Sequence, residues 1–405
     1  MDFRLSSDHE AVRKLVRDFV DREILPHIRR WDEAGALDPA VLERLKRLGL
    51  MGVSIPEAYG GSGMDYISFG IVCEELERGD TSLRTLVSVH SGLNSLTLLQ
   101  WGTEAQKHKY LVPLAKGERI GAFGLTEPDA GSDVAAMRTT ARKAGDRYIL
   151  NGTKTWISLA NTADTFIVFA YTDPSKRHRG ISAFIVERDF PGVMTRPIKG
   201  KLGIRAGDTG ELILEDVPVP RENLLGEEGE GFKIAMSALD NGRYSVAAGA
   251  VGIIAASLEA SIAYSQSRHT FGRPIAEHQL IKEKIARIAA KLEIARLLVY
   301  RVGWMKNEGL RATRETSLAK WIAADYAFEA ADEALQIHGA YGYSSEYPVE
   351  RYLRNARVLS IYEGTREIHT LLQADYALGF RIDKPLRRTL PKWPFERRND
   401  EAEET

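Results

Sequence analysis

The pattern of hydrophobic and polar positions divides the chain into three regions. Residues 1–118 follow a mainly helical period that is interrupted by prolines and by the glycines near position 60. Residues 119–228 contain short alternating stretches such as RYILNGTKTWIS, DTFIVFAY and ISAFIVE, and residues 229–380 return to the helical period. We therefore expect helices, an antiparallel β module without βαβ repeats, and a helical bundle, with a tail over 381–405.

Local signals refine this picture. Asn151-Gly152 lies between two alternating runs and predicts a hairpin turn. The tail after Gly379 is rich in arginine, proline and acidic residues, which indicates a loose or docking extension. Apolar residues recur at 4-3 spacing in the third region, which predicts the packed seam of a helix pair: Ile281, Ile285, Ile288, Leu292, Ala295, Val299 and Val302.

Composition excludes several classes of function. The 56 acidic and 55 basic residues nearly cancel, so a nucleic-acid footprint is not expected. The single cysteine, Cys73, excludes an intrachain disulfide framework and multi-cysteine metal sites. The N-terminus has no signal-peptide h-region, and we find no run of 18 apolar residues. We expect no membrane insertion and a soluble protein of the cytoplasm or of a matrix-like compartment.

The common site motifs are missing. No dinucleotide-binding G-x-G-x-x-G, no phosphate-binding G-x-x-x-x-G-K-[ST] and no G-x-S-x-G elbow occurs in a suitable context. The nine histidines show no clear ligand spacing, so we predict no metal.

Two stretches at the start of the β module could bind a flat or phosphorylated ligand. GAFGLTEPDAGSD offers backbone freedom and the hydroxyls of Thr126 and Ser132, although an ordinary turn has the same composition. KTWIS places Trp156 beside Ser158, a pair that suits a heteroaromatic ring, but a strand tryptophan is more often part of the core.

The stretch SIYEGTR places Glu363 between Tyr362 and Gly364 after an apolar run. Partial desolvation would raise the pKa of this carboxylate towards neutrality, as a general base requires. The alternative is a buried glutamate that pairs with a nearby arginine such as Arg357.

Together these motifs give a resemblance. GLTEPDAGSD, LNGTKTWIS, SRHTFGRPIAEHQ, QIHGAYGYSSEYPVERYLRNAR and IYEGT resemble, in order and spacing, segments of the acyl-CoA dehydrogenases, a flavoprotein family, over nearly the whole chain. The resemblance implies a mainly α fold with a central β domain, consisting of an N-terminal helical domain, an antiparallel β-barrel and a C-terminal four-helix bundle. It also implies FAD as cofactor, an acyl-CoA substrate, an electron-transferring flavoprotein as acceptor, and a homotetramer built as a dimer of dimers.

The resemblance gives Glu363 the role of the base that removes the α-proton of the thioester, while the β-hydrogen leaves as hydride to flavin N5. The backbone N–H of Glu363 and the ribityl 2′-hydroxyl would polarise the thioester oxygen. Some subfamilies place the base at the position of Gly242, which carries no acid here. The implied substrate contacts are Ser132, Asn241, Arg243, Tyr362 and Gly364.

The implied FAD contacts fall into two groups. One group lines the isoalloxazine: Phe123, Leu125, Thr126, Ser132, Trp156 and Ser158. The other group meets the rest of the cofactor, with Arg268, Phe271 and Gln279 supplied by a neighbouring subunit, Gln336 and Gly339 at the adenine side, and Thr365 and Glu367 at the ribityl or phosphate region. The usual Gly-Gly is Gly339-Ala340 here.

The stretch ELERGDTSLRTLVSVHS carries a substrate signal. Glu77, Arg84 and Ser88 are the residue types that glutaryl-CoA dehydrogenase has in this segment, where the arginine binds the distal carboxylate. The resemblance then implies dehydrogenation to glutaconyl-CoA followed by decarboxylation to crotonyl-CoA. The alternatives are a solvated Arg84 paired with Asp80 or Glu77, a short- or branched-chain dehydrogenase, an oxidase or monooxygenase on the same scaffold, and a non-catalytic CoA-ligand binding protein.

Overall fold

The protein is described by a computed structural model that covers residues 4–396. Its first part is helical, and π-helical turns over Val20–Ile24, Ser88–Ser95 and Lys107–Leu111 continue some of its helices. The helices are α1 Ser7–Phe19, α2 Ile28–Ala34, α3 Pro39–Arg47, α4 Tyr66–Gly79, α5 Thr81–Val87, α6 Leu96–Trp101, α7 Glu104–Gln106 and α8 Val112–Ala115.

A short break between α4 and α5 positions the site. α4 ends at Gly79, and Asp80 caps α5 by accepting a hydrogen bond from the Ser82 N–H at 2.8 Å. The second carboxylate oxygen of Asp80 pairs with Arg351 at 3.1 Å and accepts from the amide of Asn355 at 3.0 Å. These contacts attach the start of α5 to the third part of the chain.

The second part is a β domain whose strands are β1 Gly121–Gly124, β2 Thr140–Ala144, β3 Arg147–Ser158, β4 Thr165–Tyr171, β5 Ile181–Glu187, β6 Val193–Pro197, β7 Thr209–Pro220 and β8 Leu224–Leu225. The strand order is β6-β7-β3-β2-β4-β5-β8. Pairing is mainly antiparallel, as expected, but β1 runs parallel to β4, with Gly121 opposite Thr165.

The predicted hairpin at Asn151-Gly152 was wrong. Both residues lie inside β3, at an irregularity in its pairing with β7, and the side chain of Asn151 exchanges hydrogen bonds of 2.9 Å with Asp216. A Cβ at Gly152 would meet Thr139, so glycine permits a close strand approach here rather than a turn. The turn between β2 and β3 instead contains Gly145, at φ +65°.

The third part is helical again, with α9 Gly231–Ser267, the short strands β9 His269–Thr270 and β10 Arg273–Pro274, α10 Gln279–Asn307, α11 Thr313–His338, α12 Val349–Leu359 and α13 Arg366–Ala377. The predicted seam on α10 is confirmed: its residues from Ile288 to Val302 are buried, and Ile281 and Ile285 pack against the core at partial exposure. The helical, β and helical order of the fold is therefore as predicted.

α9 is the central helix of the core, and it corrects one expectation. A window of 18 residues in α9 is long and apolar enough to cross a membrane, although the sequence analysis found no such run. Most of this window is buried inside the protein, against α4, α10 and α11, so its apolar character serves helix packing.

The tail docks on the body as far as residue 396. Arg387 forms ion pairs with Glu227 and Glu230, and the Tyr66 hydroxyl donates to the carbonyl of Pro391 at 2.9 Å. The Trp393 N–H donates to the Asn307 carbonyl at 3.0 Å. The tail thus connects the first part of the chain to the third.

Candidate active site

A cavity of about 450 Å³ lies where α5, the β domain, α9 and the turn before α13 meet. Glu363 and Arg84 both line it, together with many of the sequence-predicted residues. The cavity wall includes Phe123, Leu125, Thr126, Ser132, Trp156, Ser158, Ser88, Arg243, Tyr362, Gly364 and Thr365.

Glu363 has the environment of a base rather than of a paired structural carboxylate. Its Oε2 is buried without a hydrogen-bond partner among residues 4–396. Burial raises the pKa of Glu363 to about 7, although the nearby cations of Arg243, Lys320 and Arg84 oppose this shift. Arg357, the partner considered from sequence, is exposed and donates to the Ser360 hydroxyl at 2.7 Å instead.

The turn that carries Glu363 is left-handed. Glu363 has φ +56° and Gly364 has φ +93°, and a Cβ at Gly364 would lie 2.9 Å from the ring of His369. A glutamate in this conformation costs roughly 1 kcal/mol, which surrounding contacts must offset. The N–H groups of Ile361 and Tyr362 bond to Val358, whereas that of Glu363 has no acceptor within the described part of the chain.

Three helices hold the carbonyl groups of this turn. The Glu363 carbonyl accepts from Arg243 Nε of α9 at 3.1 Å and contacts His369 Nε2 of α13 at 3.2 Å. The Gly364 carbonyl accepts from Lys320 Nζ of α11 at 2.7 Å. Burial lowers the pKa of His369 to about 3, so the ring is neutral; with Ser317 at its Nδ1, its Nε2–H donates to Glu363.

Gly242 makes room for the carboxylate. A Cβ at this position of α9 would lie 2.5 Å from Oε1 and 2.7 Å from Cδ of Glu363, well inside ordinary contact. The position that carries the base in some subfamilies therefore faces the carboxylate of Glu363 directly, and only glycine leaves that carboxylate in place.

Arg84 is one of two arginines in the cavity wall, and it is only 1% exposed. Its Nε forms an ion pair with Glu77, and its guanidinium donates to the Tyr362 hydroxyl. Glu77 also accepts from the Thr81 hydroxyl at 2.6 Å and lies behind Arg84 rather than in the wall. Arg84 is therefore not the solvated helix arginine that the sequence left open.

The other side of the cavity suits a flat ring. Phe123 and Leu125 bring β1 and the loop after it to the wall, where Thr126 and Ser158 offer hydroxyls. Trp156 has φ +59° and is 62% exposed, so it is not the core tryptophan considered above. A buried pair of Lys154 and Glu127, 2.7 Å apart, holds the loop behind these residues.

Other predicted residues lie away from this cavity. Asn241 faces a separate cavity beside the tail, where it accepts from Lys306 Nζ at 2.7 Å, so the structure does not place it as a substrate contact. Glu367 lines a neighbouring pocket with Thr365 and Arg357. The remaining predicted cofactor residues lie elsewhere on the chain and are all exposed: Arg268, Phe271, Gln279, Gln336 and Gly339.

Sequence reasoning missed Lys320 and His369. Lys320 occupies a face of α11 that otherwise consists of small buried residues, Ala319, Ala323, Ala324 and Ala327. A lone lysine on such a face is a signal of a buried charge with a specific acceptor. His369 gave no comparable signal, because its partner Ser317 is distant in sequence.

Models of known protein domains match this chain over most of its length. Models of the acyl-CoA dehydrogenase N-terminal, middle and C-terminal domains match residues 6–118, 122–217 and 229–378. The chain belongs to the acyl-CoA dehydrogenase family. An acyl-CoA dehydrogenase of Bacillus subtilis is 44% identical over 93% of this chain and 99% of its own length.

Solved structures of the family superpose on the chain. Butyryl-CoA dehydrogenase from Megasphaera elsdenii has a TM-score of 0.92 and 43% identity, covering 93% of this chain and 100% of that one. The glutaryl-CoA complex of glutaryl-CoA dehydrogenase has a TM-score of 0.91 and 43% identity, covering 94% and 98%. Relatives with different substrates are thus equally similar.

Proposed function

We propose that the protein is an FAD-dependent acyl-CoA dehydrogenase that oxidises the α,β-bond of a short acyl-CoA, with Glu363 as the base. The observation that carries this proposal is a buried carboxylate without a partner in the described chain, in the wall of a cavity that suits a flat ring. The resemblance of the motifs and the family membership support the same activity.

The chain's own groups explain how a weak carbon acid could be deprotonated. A carboxylate with a pKa of about 7 is a stronger base than an exposed glutamate and is still about half ionised at neutral pH. The N–H of Glu363 has no acceptor in residues 4–396 and can donate to the thioester oxygen, where negative charge develops. One such donor contributes about 3 kcal/mol to the transition state.

The residues present fit FAD. The ring would lie against Phe123 and Leu125, with hydrogen bonds from Thr126 and Ser158 and with Trp156 at its outer edge. Thr365 borders both this cavity and the pocket that contains Glu367, so the two pockets are adjacent. When bound, FAD supplies the acceptor for the β-hydride.

We further propose glutaryl-CoA as the substrate. Arg84 is a buried guanidinium in the wall of the cavity that contains Glu363, and Ser88 lies one helical turn further on. Buried arginines are suited to bind carboxylates through charge-assisted hydrogen bonds. A five-carbon dicarboxylic acyl group would place its α-carbon at Glu363 and its distal carboxylate at Arg84.

Decarboxylation would follow oxidation. The C–C bond between the γ-carbon and the carboxylate breaks, and carbon dioxide leaves. The electron pair of that bond stays on the γ-carbon and forms a dienolate conjugated with the thioester. Glu363, which has taken the α-proton, can return a proton to the dienolate to give crotonyl-CoA. Release of Arg84 from the distal carboxylate would accompany bond breakage.

One observation favours a second candidate, a short-chain dehydrogenase without decarboxylation. Arg84 already pairs with Glu77 and donates to Tyr362, so its charge is compensated inside the protein. A compensated arginine can border a neutral acyl chain such as butyryl without an unpaired buried charge.

Assembly and electron transfer are part of the proposal. Phe271 is 96% exposed at φ +49°, and Arg268, Gln279, Gln336 and Gly339 are exposed as well. In a homotetramer arranged as a dimer of dimers, these residues of one chain would complete the cofactor site of its neighbour. An electron-transferring flavoprotein would then take the electrons.

The test is anaerobic mixing of the FAD-loaded protein with glutaryl-CoA or butyryl-CoA, with flavin bleaching and carbon dioxide release as readouts. We expect bleaching with both and carbon dioxide only with glutaryl-CoA. Arg84→Ala should lower kcat/KM for glutaryl-CoA by about 10- to 100-fold more than for butyryl-CoA. The double variant Glu77→Gln with Arg84→Met controls for the unpaired carboxylate that a single change leaves. Equal losses on both substrates would remove the glutaryl assignment.

A further inference from the structure

The turn of Glu363 and Gly364 is held in an uncommon conformation, and this requires a cause. Both residues have positive φ, and both carbonyl groups accept hydrogen bonds from side chains on α9, α11 and α13. A left-handed glutamate is retained only where its surroundings fix it. The groups that fix this turn therefore determine where the carboxylate and the N–H of Glu363 lie.

Lys320 is the buried lysine among the side chains that bind the carbonyl groups of this turn. Its side chain is fully buried on α11, and its ammonium donates to the Gly364 carbonyl at 2.7 Å. Among residues 4–396 no carboxylate oxygen lies within ion-pair distance of this ammonium, although the charge of Glu363 is near enough to act on it. Burial of a cation whose hydrogen-bond partner is a backbone carbonyl rather than a carboxylate destabilises the fold. An apolar residue would therefore fill a purely structural role with less loss of stability.

We propose that Lys320 is a positioning residue of the base: it fixes the Gly364 carbonyl, and through that peptide it sets the direction of the Glu363 carboxylate and N–H. The inference rests on the proposed function. Ser317 and His369 form the second arm of the same support, because the hydroxyl of Ser317 orients the ring that donates to the Glu363 carbonyl.

Lys320 also acts on the charge of the base. Arg84, Arg243, Lys320 and the neutral His369 face Glu363 from α5, α9, α11 and α13, and Tyr362 adjoins it within the turn. Burial lowers the pKa of Lys320 to about 7, while Glu363 opposes that shift; Arg243, Asp325 and Arg366 are its other charged neighbours. Removal of this cation should therefore raise the pKa of Glu363 further.

The experiment isolates proton abstraction from hydride transfer. The FAD-loaded protein is incubated with acetyl-CoA in D₂O, and deuterium incorporation at C2 is measured by mass spectrometry across pH. Acetyl-CoA has an α-carbon but no β-carbon, so only the base is tested. We compare the unmodified protein with Lys320→Met, Ser317→Ala and Thr316→Val. Thr316 is the matched control, a buried residue of the same helix whose hydroxyl has no partner within the described residues.

We expect Lys320→Met to lower the plateau exchange rate at least tenfold and to shift the half-maximal pH upward, with acetyl-CoA binding changed less than threefold. Ser317→Ala should lower the rate threefold to tenfold without the pH shift, because no charge is removed. It also provides a second test if Lys320→Met does not fold. Thr316→Val should stay within twofold.

The outcomes separate two failures. If the unmodified protein exchanges and Lys320→Met keeps both its rate and its half-maximal pH, Lys320 is a structural residue and the inference is wrong. If Ser317→Ala leaves the rate unchanged while Lys320→Met is unfolded, the positioning role is also wrong. If the unmodified protein shows no exchange, the proposed function itself fails.

Discussion

Replacement of Gly242 with alanine introduces one methyl group directly against the carboxylate of Glu363, the proposed base. The Cβ would lie 2.5 Å from Glu363 Oε1, whereas ordinary contact begins at 3.4 Å, so the carboxylate must retreat by the difference, about 0.9 Å. A displacement of about 1 Å of a catalytic group costs roughly 100-fold in rate, or about 2.7 kcal/mol of activation free energy. Stability should change little, because alanine gains up to about 1 kcal/mol of helix propensity over glycine and this offsets part of the strain.

The assay is stopped-flow measurement of flavin bleaching under anaerobic conditions at saturating acyl-CoA. We expect kcat to fall about 100-fold on every substrate, with KM changed only a few-fold. Gly249→Ala on the same helix is the steric comparison, because its Cβ would meet Glu77 and Arg84 at 2.6 and 2.8 Å rather than Glu363, so it should change substrate preference and not kcat on butyryl-CoA. If Gly242→Ala bleaches the flavin at the unmodified rate, Glu363 does not act from the position described here.

The remaining predictions concern specificity, pH and the tail. Gly249→Ala should reduce the preference for glutaryl-CoA over butyryl-CoA about tenfold, measured as the ratio of kcat/KM values. An unchanged ratio would show that Arg84 does not determine the substrate preference. Folding raises the pKa of Glu363 from 4.5 to about 7, so the folded state holds this proton more tightly than the unfolded state. The free energy of unfolding therefore falls as the pH rises from about 4.5 to about 7. Glu363→Gln should therefore unfold at the same denaturant concentration as the unmodified protein near pH 4 but be about 3 kcal/mol more stable at pH 8, and an equal difference at both pH values would contradict this. Truncation after residue 383 should lower the unfolding free energy by about 3 kcal/mol, since it removes the packing of Leu390 and Phe395, without changing the bleaching rate.

The order of the three parts could be predicted because it depends on local periodicity. The seam of α10 repeats every few residues, and its burial follows directly from that repeat. The hairpin at Asn151-Gly152 failed because the same dipeptide serves a strand irregularity when β3 continues to pair with β7 on its other side. Propensity at two residues cannot report a partner strand some 60 positions away.

The candidate site was predictable in its residue types but not in its support. Glu363 and Arg84 stand out because their chemistry differs from their neighbours, and the structure places both in one cavity. The positive φ of Glu363, the clearance at Gly242 and the contact with Lys320 depend on how α9, α11 and α13 pack. Such geometry has no signature in a single stretch of sequence.

The most direct measurement is single-turnover bleaching of FAD-loaded Glu363→Gln by glutaryl-CoA without oxygen. Glutamine keeps the size of the side chain and the backbone N–H but cannot accept the α-proton. We predict that this variant binds the substrate and retains its oxidised flavin spectrum, with bleaching at least 1,000-fold slower than in the unmodified protein. Bleaching within tenfold of the unmodified rate would show that another group removes the proton.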